Sequence, residues 1–128
     1  MNMPERTLLI IDDNSDLCSL TSRYFARKNY KTHTAATCAE GIALAEELRP
    51  DYIVLDYHLE DGDAVQVASY IRKSESLKET PLLIVSGDIT IEGSVYKDCQ
   101  TEYFILKDGA CMFDRIHKVL CSLEQPAP

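Results

Sequence analysis

Four uninterrupted apolar runs set the limits on what this chain of 128 residues folds into: Leu8-Leu9-Ile10-Ile11, Tyr52-Ile53-Val54-Leu55, Leu82-Leu83-Ile84-Val85 and Tyr103-Phe104-Ile105-Leu106. Continuous apolar stretches of this length suit strands buried on both faces, as in a parallel sheet. A fifth, weaker strand is expected from Tyr30 to Thr34, where Tyr30, Thr32 and Thr34 alternate with Lys31 and His33. One-sided alternation of that kind suits the edge of a sheet.

Between the runs the period changes to that of helices. Asp16 to Lys28 places Leu17, Leu20 and Tyr24 on one face. Thr37 and Glu40 form a capping-box pair, with Leu44 and Leu48 following at helical spacing. Ala64, Val67 and Ile71 share a face, as do Met112, Ile116, Val119 and Leu123. Ile89 to Gln100 is the poorest helix, rich in β-branched residues and interrupted by Gly93, so it should be the least stable. Five strands alternating with helices make a doubly wound α/β domain.

Charge and cysteine content exclude several function classes. With 13 basic against 21 acidic residues the net charge is -8, so the chain as a whole lacks a basic nucleic-acid footprint. No apolar run approaches the roughly 20 residues that span a bilayer, and Met1 to Thr7 lacks the apolar segment of a secretion signal. Cys18, Cys38, Cys99, Cys111 and Cys121 form an odd set without a CxxC pair or metal-ligand spacing. Reduced thiols in a cytoplasmic protein are expected. Residues 1–124 read as one domain and Gln125 to Pro128 as a tail of linker-like composition, which leaves open both a free-standing domain and one joined to an output domain.

The chemistry lies just beyond the runs. The first ends in Asp12-Asp13, the third in Asp56, the fourth in Ser86 and the fifth in Lys107. In open α/β sheets, ligands bind at the carboxyl ends of the strands near the point where strand order reverses. A charged residue at one strand end is ordinary; three carboxylates, a hydroxyl and an ammonium on one edge form a site. Two carboxylates about 4 Å apart repel by on the order of 4 kcal/mol at an effective dielectric near 20. They share a proton or take up a divalent cation. An all-oxygen, partly aqueous donor set favours Mg²⁺ over zinc, and Mg²⁺ bridges carboxylate to phosphate. Lys107 and Ser86 suit the remaining phosphoryl oxygens, and a carboxylate can act as nucleophile to give an acyl phosphate.

Asp12-Asp13, Asp56, Ser86-Gly87 and Lys107, in this order and spacing, resemble the receiver domain of two-component response regulators over roughly residues 6 to 123. The resemblance implies a flavodoxin-like three-layer fold with a five-stranded parallel sheet in the order 2-1-3-4-5. It implies that Asp56 is the phosphoacceptor. Asp13 and Asp56 would bind Mg²⁺ (Mn²⁺ as a substitute) through their side chains, Asp12 would assist through water, and His58 would offer its backbone carbonyl. Ser86 and Lys107 would hold the phosphoryl group. Phe104 falls at the switch-aromatic position, although a plain core role suits it too. His58 and Asp88 occupy positions that tune self-dephosphorylation, and the His58 side chain is read as flanking the pocket. The implied partners are a sensor histidine kinase or phosphotransfer protein, and a downstream protein or output domain. A homodimer through the last helix or the fourth-helix surface is left open.

Two departures matter. Asp108 follows Lys107 where the family usually has proline after a cis peptide. A cis bond before a non-proline residue costs about 2.5–4 kcal/mol, so a trans bond and a remodelled loop are expected. Glu60 replaces the proline often found four residues past the phosphoacceptor. Two other readings compete: an interaction module that has lost phosphorylation, and an aspartate-based phosphohydrolase. The second lacks a substrate-cap insertion and has His58 where a second acid would stand. Dinucleotide binding is disfavoured, because Asp13-Asn14-Ser15-Asp16 follows the first strand in place of a glycine-rich loop.

Overall fold

The computed structural model describes residues 5–109 and 111–124. Five parallel strands, β1 (Arg6–Ile11), β2 (Tyr30–Ala35), β3 (Tyr52–Asp56), β4 (Leu82–Ser86) and β5 (Tyr103–Leu106), form one sheet in the order β2-β1-β3-β4-β5. The order reverses between β1 and β3, which pair with Leu8 beside Tyr52 and Ile11 beside Leu55. The carboxyl ends of β1 and β3 therefore flank the switch point, where an open sheet of this kind leaves a crevice.

The period of two along each strand splits the core. Leu9, Ile11, Ile53, Leu55, Leu82 and Ile84 pack toward α2 (Cys38–Leu48), α3 (Ala64–Lys73) and α4 (Glu92–Asp98). Leu8, Ile10, Val54, Leu83, Val85 and Ile105 pack toward α1 (Ser15–Ala26) and α5 (Cys111–Glu124). Helices thus cover both faces, which is why the strands read as unbroken apolar runs. The expected tail, 125–128, lies outside the described residues.

Helix faces depart from the pattern in α1, in α2 and in α5, where Met112, Ile116 and Leu120 are buried while Val119 and Leu123 lie at the margin. The buried positions of α1 are Cys18, Thr21 and Phe25, while Leu20 is 51% exposed and Leu17 and Tyr24 lie on the flank. The face is turned by one residue because Thr21 satisfies its hydroxyl within the helix, donating to the Leu17 carbonyl at 2.7 Å, so it can be buried. In α2 the fully buried positions are the small Cys38, Gly41 and Ala45, with Leu44 packed at the margin. Thr37 accepts from the Glu40 N–H at 3.1 Å, one arm of the expected box. The complete reciprocal box forms instead at Asp63 and Gln66, opening α3. The weak segment after β4 begins as a 3₁₀ turn at Ile89–Ile91 and leaves α4 only seven residues, with Val95 its one buried position. A short antiparallel ribbon, His58–Leu59 with Gly62–Asp63, follows β3; its brevity leaves no sequence period to detect.

Candidate functional site

Asp12, Asp56 and Ser86 are buried at 7%, 8% and 2% exposure, at the carboxyl edge of an otherwise apolar sheet. Backbone bonds carry the strands out to them. The Asp12 N–H donates to the Ala35 carbonyl at 2.9 Å, the Tyr57 N–H to Val85 at 2.9 Å and the Lys107 N–H to Ser86 at 2.8 Å. Asp12 turns the chain into α1 by accepting the Asn14 N–H at 2.9 Å, and Asn14 caps that helix by accepting the Leu17 N–H at 3.0 Å. The Cys18 thiol donates to the Asp12 carbonyl at 3.2 Å from below. Nothing in the sequence pattern marks Cys18 for this role, because its thiol meets a main-chain atom.

Carboxylate oxygens of Asp12, Asp13 and Asp56 lie within 4.8 Å of one another. Asp12 and Asp56 are the enclosed members, and Asp13 faces solvent. Lys107 Nζ reaches across the edge to within 3.0 Å of Asp12 Oδ2 and 3.5 Å of Asp56 Oδ1. Burial, followed by the charge of Asp12, pushes the Asp56 carboxyl up from 3.8 to about 6; Asp13 adds to the rise and Lys107 opposes it. Burial works against the Lys107 charge, but its hydrogen bond to Asp12 and the charges of Asp56 and Asp12 outweigh it and raise its pKa. The cluster is a hard, all-oxygen donor set carrying more negative charge than one ammonium neutralises. It fits a divalent cation of the Mg²⁺ type.

Of the residues expected at the site, Asp12, Asp13, Asp56 and Lys107 come together. Ser86 ends the strand between β3 and β5, and its hydroxyl accepts the Asp88 N–H at 3.1 Å. The His58 side chain is exposed and packs edge-on against Tyr57, with ring centroids 4.9 Å apart. Asp88 is held below its ordinary range, first by the Thr90 hydroxyl and N–H and in smaller part by His58. Phe104 is half-buried against the α2–α4 layer, on the sheet face away from Ile105. The Lys107–Asp108 peptide is trans. Asp108 turns toward α5, where its carboxylate meets Arg115 Nη1 at 2.6 Å, so it does not compete for Lys107.

A groove of about 580 Å³ runs from Asp12 and Asp13 between α1 and β2, past Ser19, Ser22 and Thr32 to Arg23. Among the described residues no helix is long and apolar enough to cross a membrane.

Comparison with known proteins agrees with this fold. The photosynthetic apparatus regulatory protein RegA of Rhodobacter capsulatus is 27% identical over 99 residues, 77% of this chain and 54% of that protein. The chain spans about half the length of the curated relatives it matches. Chemotaxis response regulator CheY4 of Vibrio cholerae superposes with a TM-score of 0.84 at 21% identity, covering 94% of this chain and 99% of that one. Response regulator TrrA of Thermotoga maritima, solved in complex with Mg(2+)-BeF, superposes with a TM-score of 0.81 at 18% identity, covering 92% and 98%. The family model described as the response regulator receiver domain matches residues 8–119, and the chain belongs to that family.

Proposed function

We propose that the chain is a signalling domain that accepts a phosphoryl group on Asp56 from a phosphohistidine of a sensor kinase or phosphotransfer protein, in a Mg²⁺-dependent reaction. The observation that carries this reading is the placement of Asp56, enclosed at the switch point with Lys107 Nζ 3.5 Å from its Oδ1. A carboxylate oxygen of Asp56 attacks phosphorus, the bond from phosphorus to the donor imidazole nitrogen breaks, and that nitrogen keeps the electron pair. The product is an acyl phosphate. Lys107 supplies positive charge to the incoming phosphoryl oxygens, and Ser86 offers a hydroxyl to another of them. Asp13 and Asp56, with the His58 carbonyl, would hold Mg²⁺ directly and Asp12 through water; Mn²⁺ meets the same demand. The cation supplies neutralisation of the charge that gathers on the phosphoryl group. TrrA, of the same fold, is described with Mg(2+)-BeF, which supports this assignment.

A switch requires that phosphate favour one of two conformations. Ser86 drawn toward the phosphoryl group would release the Asp88 N–H it now accepts, and Phe104 would move in the space beside the short α4. The face of α4, β5 and α5 would then present a changed surface to a downstream protein or output domain in the cytoplasm. Incubation with Mg²⁺ and a small acyl-phosphate donor, read by intact mass, tests the proposal. One added phosphoryl group that requires Mg²⁺ is expected. A protein that takes none from any donor and no beryllofluoride is instead an interaction module, and sustained turnover of a phosphate ester would mark a hydrolase.

A further inference from the structure

We propose that Asp61 is a positioning residue for the phosphorylation site, acting through the loop that carries His58 rather than by touching the reacting atoms. The inference rests on the reading of Asp56 as a Mg²⁺-dependent phosphoacceptor.

The chain leaves Asp56 and returns to α3 through Tyr57 to Asp63. The ends of this loop are held by its own backbone: the Ala64 N–H donates to the Tyr57 carbonyl at 2.8 Å, and His58–Leu59 pairs with Gly62–Asp63. The tip is held from outside. Asp61 Oδ1 accepts the Cys38 N–H at 2.7 Å and Oδ2 accepts the Ala39 N–H at 3.1 Å. These are the first two amides of α2, which have no acceptor within their own helix. A carboxylate there is doubly favoured, by charge-assisted bonds and by the positive end of the helix dipole.

The neighbours of Asp61 close the arrangement. Asp63 caps α3, so two carboxylates of one turn, Asp61 and Asp63, grip two helices. Gly62 sits between them with φ +159°; a Cβ there would fall 1.8 Å from Gln66 Oε1 and 3.3 Å from Cys38 Sγ. The Cys38 thiol lies 3.8 Å from the Asp63 carbonyl. With Glu60 before Asp61 the tip has no proline ring to stiffen it, and the bonds to α2 hold it instead. α2 keeps its own cap at Thr37, which makes the Asp61 bonds additional to helix capping. Their distinctive consequence is to fix the loop beside Asp56.

Titration of the full chain with Mg²⁺ alone, by calorimetry, together with thermal unfolding, separates this role from simple stabilisation. The variants are Asp61→Ala, Asp61→Asn and Thr37→Ala, the last removing an α2 cap without touching the loop. Asp61→Ala and Thr37→Ala should both lower Tm. Only Asp61→Ala should weaken Mg²⁺ affinity, by roughly tenfold, the lower end of what outer-shell partners of metal ligands contribute. Asp61→Asn keeps one acceptor oxygen and should fall between; it carries the test if the alanine variant does not fold. Unchanged Mg²⁺ affinity in both Asp61 variants, or an equal loss in Thr37→Ala, would overturn the role of Asp61 alone. A wild-type protein that binds no Mg²⁺ would overturn the underlying reading of the site.

Discussion

Lys107 Nζ stands 3.0 Å from Asp12 Oδ2, a bond that joins the end of β5 to the end of β1 across the full carboxyl edge of the site. The same ammonium lies 3.5 Å from Asp56 Oδ1, so before any cation or phosphate arrives it is the charge that makes the cluster tolerable. Replacing it removes that compensation from two enclosed carboxylates. Lys107→Ala should lower the stability of the Mg²⁺-free protein at pH 7 by about 1–3 kcal/mol, the range for leaving a buried polar group without its partner. Urea unfolding measures this, and added Mg²⁺ should restore part of the loss.

Among the described residues no cation pairs with Asp13. It faces solvent within 4.8 Å of the other two carboxylates. Asp13→Asn should therefore stabilise the Mg²⁺-free protein, by no more than about 1 kcal/mol given water's screening at this range. The same variant should lose most Mg²⁺-dependent stabilisation. Thermal unfolding with and without Mg²⁺ reads both effects, which have opposite signs.

The raised pKa of Asp56 gives stability a definite slope with pH. Its carboxyl titrates near 6 when folded against 3.8 unfolded, so below about 4 both states are protonated and the group contributes nothing. As pH rises through the window from 4 to 6 the folded state loses stability, reaching about 3 kcal/mol at 1.36 kcal/mol per unit. Without divalent cations the protein should thus be more stable at pH 5 than at pH 7 by roughly 1 kcal/mol through this group. Denaturant titrations of wild type and Asp56→Asn at both pH values test it: the asparagine variant should lack that part of the difference.

Gly41 marks where α2 comes closest to the sheet. A Cβ at this position would lie 2.6 Å from Ile11 Cδ1, and Ile11 is fully buried. Gly41→Ala gains helix propensity but forces Ile11 from its place, and overpacking of this kind costs about 1–3 kcal/mol. A fall in urea midpoint with an unchanged m-value is expected, since the fold itself is not altered.

Much of the fold and site is legible in the sequence because period and chemistry point the same way. Continuous apolar runs mean strands covered on both faces, and the polar residues that end them, Asp12, Asp56, Ser86 and Lys107, all lie on one edge. What escapes is set by contacts without a period. The buried face of α1 turns by one residue because the Thr21 hydroxyl is satisfied by its own helix. Close packing of α2 depends on Gly41 and Ala45, whose smallness conveys no amphipathic signal. Asp61 looks like one acid in an acidic turn until the fold brings it to the first amides of α2. Asp108, an unfavourable neighbour for Lys107 in the sequence, is removed from the site by Arg115.

We propose Asp56, and neither Asp12 nor Asp13, as the carrier of the phosphoryl group. After labelling with a small acyl-phosphate donor and Mg²⁺, borohydride reduction converts an aspartyl phosphate to homoserine, and peptide mass spectrometry locates it. Homoserine at position 56 alone, absent from Asp56→Asn, is the predicted result. Homoserine at position 12 or 13, or labelling that persists undiminished in Asp56→Asn, would contradict it.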